Sequence, residues 1–386
     1  MSECERCGNR NPESFGIRKN GEPYCRLCLS FNGEKAPKNP NLKRRKTEVT
    51  LSYSLSEEQK AVSDRLTEAY RAHRDSLVHA VCGAGKTELV YATMGYALSE
   101  GHQVGFAIPR KDVVIELTAR IKEAFPSRKV IAVYQDHTDD LVGDIVVLTT
   151  HQLYRYEAYF DLLIIDEADA FPFKDQSVLH SFFHRSVRGN FIVMSATLSE
   201  GMKEEMRERG GTCLSLMTRY HGHPLIVPKP IVWPFFPEIY VFFKLLAFRK
   251  KRFPVLVFTP TIDECEALFR FVGVLMRRGN FVHSERAGRN EIIEGFKRGK
   301  YDYLITTSVL ERGVTVKNLQ VIVFHADSAI YDDKALIQIS GRVGRKSDAW
   351  DGEAVFLCNR KNAFIRNSIR QIREANRALC RDAKSA

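Results

Sequence analysis

The chain has 386 residues, 44% hydrophobic and 27% charged, which suits a folded protein of two or three domains and excludes a disordered or fibrous chain. No apolar run approaches the roughly 20 residues that span a bilayer, and the opening MSECERCGNR lacks the apolar core of a secretory signal, so a cytosolic protein with at most peripheral membrane contact is expected. The net charge of +11 favours a polyanionic partner, nucleic acid ahead of an anionic membrane surface.

Cys4, Cys7, Cys25 and Cys28 form C-x2-C-x17-C-x2-C. Two close pairs separated in this way aim four thiolates at one tetrahedral ion, the pattern of a structural Zn²⁺ site. Residues 1–36 are too few to bury a core of their own, so metal binding would supply most of their folding energy. The other cysteines, Cys82, Cys213, Cys265, Cys358 and Cys380, are scattered and odd in number, which argues against a disulfide framework. Residues 37–54 carry prolines and the basic run Lys43-Arg44-Arg45-Lys46, and read as a linker, either a solvated tether or a contact for a phosphate backbone.

A first α/β domain is expected over 55–218. It opens with an amphipathic helix capped by Ser56, with Gln59 near its start. Val78 to Thr87, VHAVCGAGKT, reads as a strand, a glycine-rich turn and a helix. Gly83, Ala84 and Gly85 would curl backbone N–H groups around a phosphate, with the dipole of a helix over 87–99 behind them. Lys86 would reach the β- and γ-phosphates and Thr87 would hold Mg²⁺. Gln59, twenty-seven residues before Lys86, could pair with adenine through its amide. Apolar runs at 77–81, 104–108, 130–134, 145–149, 162–165 and 191–194 read as strands of a parallel sheet buried on both faces. The run at 162–165 ends in Asp166-Glu167-Ala168-Asp169, with Asp166 placed to hold Mg²⁺ and Glu167 to position or deprotonate an attacking water. Ser195-Ala196-Thr197 ends the next run. Pro109-Arg110 and Thr149-Thr150 also follow strands and suit a nucleic-acid groove.

Five prolines between 219 and 238 exclude a continuous helix or a central strand, and mark an inter-lobe connection. A second α/β domain over 239–386 repeats the alternation, with strands at 255–258, 280–283, 303–306, 321–325 and 354–357 but no second phosphate loop. Thr259, Thr306 and Thr307 follow its strands and are further candidates for nucleic-acid contact. Gln338-Ile339-Ser340-Gly341-Arg342-Val343-Gly344-Arg345 places two arginines on one turn, suited to charge on a γ-phosphate. A helix over 362–379 carries the stripe Ile365, Ile369, Ile372, Leu379 beside Arg366, Arg370, Arg373, Arg377 and Arg381. The arginine stripe reads either as a solubilising face or as a contact for DNA or an acidic partner.

A-x-x-G-x-G-K-T at 80–87, DEAD at 166–169, SAT at 195–197 and Q-x-x-G-R-x-G-R at 338–345 together resemble the motif set of superfamily 2 helicases. With the four cysteines, DEADAFPF at 166–173, THQL at 150–153 and a basic C-terminus, the chain resembles the ComFA family of competence ATPases. The resemblance implies two RecA-like lobes with parallel sheets plus a small zinc module. It implies an ATP- and Mg²⁺-dependent motor on single-stranded DNA, working at the inner membrane face in DNA uptake, with ComFC and DprA as partners. Lys86, Asp166, Glu167, Arg342 and Arg345 would be catalytic, with Gln59, the loop residues and Gln338 binding nucleotide. The segment Arg312-Gly313-Val314-Thr315, and Gln338 where RNA helicases carry histidine, depart from the RNA-helicase pattern and favour a DNA translocase. A replication-restart or repair helicase, and a non-enzymatic zinc-anchored DNA scaffold with a nucleotide switch, are the alternatives.

Overall fold

The structure is a computed structural model that describes residues 3–51, 53–81, 83–167, 176–196, 200–307 and 316–385, with side chains described as far as 377. The expectations for Cys82, Ala168, Asp169, Thr197 and the 311–315 segment, and for the side chains of Leu379 and Arg381, lie outside the described residues.

Two compact units divide the chain, one of Met1–Val81 and Gly85–Leu216, the other of Cys82–Ala84 and Met217–Ala386. In the first unit the cysteine module contributes a small antiparallel pair, β1 (Phe15–Ile17) and β2 (Pro23–Cys25). There follow α1 (Glu57–Arg71), β3 (Ser76–Ala80), α2 (Lys86–Leu89), α3 (Tyr91–Ser99), β4 (Val104–Ile108), α4 (Lys111–Ala124), β5 (Val130–Val133) and β6 (Ile145–Thr149). The unit closes with a 3₁₀ turn (Thr150–Arg155), β7 (Phe160–Asp166), α5 (Ser177–Ser186), β8 (Val187–Ser195), α6 (Glu200–Glu208) and β9 (Thr212–Leu216). β3 to β9 form one parallel sheet in the order β5-β6-β4-β7-β8-β3-β9. Its central strands are buried along their length, which is why they read as unbroken apolar runs. β9 escapes that signal because Thr-Cys-Leu-Ser-Leu is an edge strand with only Leu214 and Leu216 buried.

Residues 37–54 are not a free tether. Asn39 Nδ2 donates to the Tyr159 carbonyl, Thr47 N–H to Ser99 Oγ at 3.0 Å, and Thr50 N–H to the Ala124 carbonyl at 2.9 Å. These bonds strap the segment across the unit and leave Lys43, Arg44, Arg45 and Lys46 exposed.

The second unit holds β10 (Lys229–Val232), α7 (Pro237–Lys250), β11 (Val255–Phe258), α8 (Ile262–Leu275), β12 (Gly279–Val282), α9 (Arg289–Lys297) and β13 (Tyr303–Thr306). β14 (Gln320–Val323), α10 (Asp333–Ser340), β15 (Ala354–Cys358) and α11 (Ala363–Ser385) complete it. Its parallel sheet runs β10-β15-β14-β11-β13-β12. Leu256 and Phe258 of β11 enter one core and Val255 and Val257 the other, as the two-residue period of a strand buried on both faces requires. The proline-rich connection at 219–238 lies wholly in this unit. Its strand β10 tolerates Pro230 because it lies at the sheet edge, where a missing N–H breaks no ladder bond.

Candidate nucleotide, metal and strand-binding sites

In the first unit the candidate side chains gather at the carboxyl ends of the parallel strands, where such sheets present their sites. β8 lies between β3 and β7. The chain leaving β3 nevertheless returns so that Lys86 Nζ stands 3.4 Å from Asp166 Oδ1, at the end of β7. Both side chains are about four-fifths buried, at 16% and 15% exposure. Burial raises the Asp166 carboxyl above its ordinary range; Lys86 opposes that shift and the neighbouring Glu167 adds to it. Glu167 takes a left-handed backbone, φ 60°, and its N–H donates to Asp166 Oδ1 at 2.8 Å. That bond turns the chain sharply at the strand end and fixes one carboxylate relative to the other.

Gly83 and Gly85 take φ 84° and 74°, the left-handed turn that the loop needs. At Gly85 a Cβ would also meet the Gln59 amide nitrogen at 2.6 Å. Gln59 completes a capping box: its Oε1 accepts from Ser56 N–H at 2.9 Å while its own N–H donates to Ser56 Oγ at 3.2 Å. Gln59 is buried, so it braces the phosphate loop and its carbonyl oxygen already accepts one bond. The helix behind the loop differs from expectation. It breaks at Val90, so α2 is a single turn of Lys86–Leu89 and the dipole behind the loop is that of one turn. Thr87 is half-buried on this turn. Buried Glu88 pairs with Arg120 of α4 and anchors it. Ser195 is fully buried at the end of β8.

The four cysteines meet as their spacing predicts. Their sulfurs lie within 4.8 Å of one another, and the Cys4–Cys28 and Cys7–Cys25 separations are both 3.7 Å. Tetrahedral zinc with Zn–S bonds of about 2.3 Å sets sulfurs about 3.8 Å apart, so the cluster fits this ion. Burial pushes the Cys7 thiol up to about 11, and burial and the neighbouring thiols push Cys28 up as well. Against burial, the N–H groups of Leu27 and Cys28 hold the Cys25 thiol below its usual range. Four thiolates gathered here need a cation between them. The module is seated on the lobe: Ala36 N–H donates to the Arg155 carbonyl at 2.9 Å, and Phe31 packs edge-on to Phe182 with ring centroids 5.0 Å apart.

The strand-end candidates are unequal. Arg110 is half-buried; Pro109 and Thr149 line a cavity described below. Thr150 is fully buried. Thr259 and Thr306 are also fully buried, and their hydroxyls donate to backbone carbonyls of their own unit, Thr306 Oγ1 to Thr307 at 3.1 Å. Thr307 is buried too. The hydroxyls of Thr150, Thr259 and Thr306 are turned inward.

In the second unit Gln338 lies buried on α10, and the turn after it carries Arg342, only 2% exposed, and Arg345, whose Nε donates to the Gly341 carbonyl at 3.0 Å. Sequence reasoning missed the residue that holds this turn. Arg219, 2% exposed, donates from Nη1 to the carbonyls of Val343 (2.8 Å) and Gly344 (2.5 Å) and from Nη2 to Gly341 (3.3 Å). His221 Nε2 adds a contact to Gly344 O at 3.0 Å, and His223 stacks on Trp350 with centroids 4.2 Å apart. No local pattern distinguishes Arg219 from any other arginine; its acceptors are more than 120 residues away.

The fold and the phosphate-loop geometry define an ATP-hydrolysing enzyme of the helicase type. The family profile "Helicase conserved C-terminal domain" matches residues 239–347 and "Type III restriction enzyme, res subunit" matches 52–200. Such domains work with ATP and Mg²⁺. The Saccharomyces cerevisiae Dbp5 structure bound to RNA and ADP BeF3 shares the fold, with a TM-score of 0.60 at 15% identity over 83% of this chain and 92% of that one. The chain is 34% identical to competence protein ComFA of Streptococcus pneumoniae, over 97% of this chain and 90% of that protein. It is 32% identical to ComFA of Bacillus subtilis, over 97% and 85%. It belongs to the ComFA family and is a competence-related, helicase-like ATPase. Among the described residues no helix is long and apolar enough to cross a membrane.

Proposed function

We propose that the protein is an ATP-driven translocase on single-stranded DNA that works in DNA uptake. The observation that carries this is the Lys86–Asp166 pair, which sets a phosphate-binding cation against a carboxylate at the strand ends. Lys86 and the backbone of Gly83, Ala84 and Gly85 would bind the β- and γ-phosphates, with Gln59 bracing the loop beside adenine. Thr87 and Asp166 would hold Mg²⁺; the chemistry a bound Mg²⁺ supplies is neutralisation of charge on the phosphate oxygens. Glu167, turned by its backbone bond to Asp166, would orient the attacking water. Arg342 and Arg345 would meet the γ-phosphate charge, with Gln338 beside them.

Cys4, Cys7, Cys25 and Cys28 would hold Zn²⁺ as a closed structural site. Pro109, Arg110, Thr149 and Thr150 on one unit, and Thr259, Thr306 and Thr307 on the other, mark the loops proposed to follow the DNA backbone. ComFC and DprA are the proposed protein partners, at the inner face of the membrane.

The test is steady-state ATP hydrolysis alone and with single-stranded DNA, duplex DNA or RNA, at two salt concentrations. Stimulation by single-stranded DNA, weakening with salt, is expected. Stimulation mainly by forked or duplex DNA would replace the uptake motor with a repair helicase. Stimulation by RNA alone would reject a DNA motor.

A further inference from the structure

A cavity of about 870 Å³ opens in the first unit between the cysteine module and the strand ends. The module supplies Leu27, Ser30 and Phe31; the lobe supplies Pro109, Lys111, Gln135, Thr149, His151 and Gln176, among others. No carboxylate lines it among the described residues. The rings of Phe31 and His151 are near-parallel, 18° apart with centroids separated by 6.2 Å. Burial holds the His151 imidazole below its ordinary pKa, so near neutral pH this ring is uncharged.

Phe31 is held in place. Tyr154 and Phe182 pack its edges at 5.6 and 5.0 Å, and its N–H donates to the carbonyl of Cys28 at 3.1 Å. Tyr154 in turn accepts from Gly33 N–H at 3.0 Å. A rigid aromatic platform three residues past a metal ligand costs little entropy to use, which is how a stacking site is preorganised. The mouth is cationic: Lys111 opens α4, with its Nζ 5.0 Å from the Tyr134 ring.

We propose that this cavity is a base pocket, in which one unpaired base of a single-stranded nucleic acid stacks on Phe31 and His151. Gln135, Gln176 and Thr149 offer donors and acceptors to the base edge, and Lys111 takes the adjoining phosphate. The occupant follows from the wall chemistry of the described residues: near-parallel neutral rings, amides and a cation suit a base with its phosphate better than an acyl chain or a basic peptide. The cysteine module thereby becomes one wall of the strand path. This rests on the single-strand reading above and adds where a base leaves the stack.

The test uses an oligothymidylate carrying one 2-aminopurine, and a matched oligonucleotide with abasic sites. Binding to the intact protein should quench the 2-aminopurine. Phe31→Leu should lower affinity for the normal strand roughly tenfold, the scale of one lost base–aromatic stack, and leave the abasic strand nearly unchanged. His151→Leu, on the lobe wall, should do the same, and decides the matter if Phe31→Leu loses its metal. Equal loss on both strands, or binding without quenching, would overturn the pocket while leaving the single-strand motor intact. No binding of either strand would remove the motor and the pocket together.

Discussion

Lys86 Nζ lies 3.4 Å from Asp166 Oδ1, and neither side chain is more than one-sixth exposed. The two therefore form a largely buried ion pair within the first unit. Lys86→Ala should reduce ATP turnover by roughly 100- to 1000-fold, the scale of one lost electrostatic contact to a transition state. It should also cost about 1–3 kcal/mol of stability, because Asp166 is left desolvated. Thermal unfolding of Lys86→Met, Asp166→Asn and the double variant checks this. The double variant should lose less than the sum of the two; additive losses would mean the pair does not interact.

Arg219 bridges three carbonyls of the arginine-bearing turn. Arg219→Met leaves those acceptors without their cation and should cost about 2–4 kcal/mol. Gly344→Ala should be comparably harmful: φ is 69°, and a Cβ would stand 2.2 Å from the Trp350 carbonyl oxygen. Gly201→Ala, with nothing within 4 Å, is the control and should be neutral or slightly stabilising. Melting temperatures of the three variants test the contrast.

Removal of the metal should be felt beyond the cysteine module. Chelation leaves the four sulfurs with no ion to hold them together, and Phe31 N–H is bonded to the Cys28 carbonyl. Atomic spectrometry should find one zinc per chain in the untreated protein and markedly less in Cys25→Ser; full retention in that variant would refute the four-cysteine site. Proteolysis should then cut within residues 1–36 first.

Acidification should weaken the first unit. Burial lowers the pKa of His151 and His184 below 6.5, with Arg209 adding to the shift at His184. As pH falls, the unfolded chain takes up these protons before the folded one does. The contribution is whole above about pH 6.5 and is lost as pH drops below it. The fall in melting temperature from pH 7.5 to pH 5.5 should be smaller in His184→Gln than in the native chain. An equal fall would exclude His184 as a source.

The glycine turn after β3, the Asp166-Glu167 strand end, the four-cysteine cluster and most strands were legible in the residues alone. Each is a short contiguous pattern whose chemistry and backbone demand coincide: glycines where φ is positive, apolar runs where a strand is covered on both faces, thiols in pairs two residues apart. The helix break at Val90, the edge strands Lys229–Val232 and Thr212–Leu216, and the strapping of residues 37–54 were not legible. An edge strand buries too little to produce an apolar run, and a strap is held by single hydrogen bonds to residues distant in sequence. The same reason hid Arg219 and Phe31. Their roles come from carbonyls and rings far away in sequence, which only the folded sheet brings within bonding distance. Sequence alone determined which chemistry the chain carries; tertiary structure decided which residues hold that chemistry in place and which hydroxyls are turned away from it.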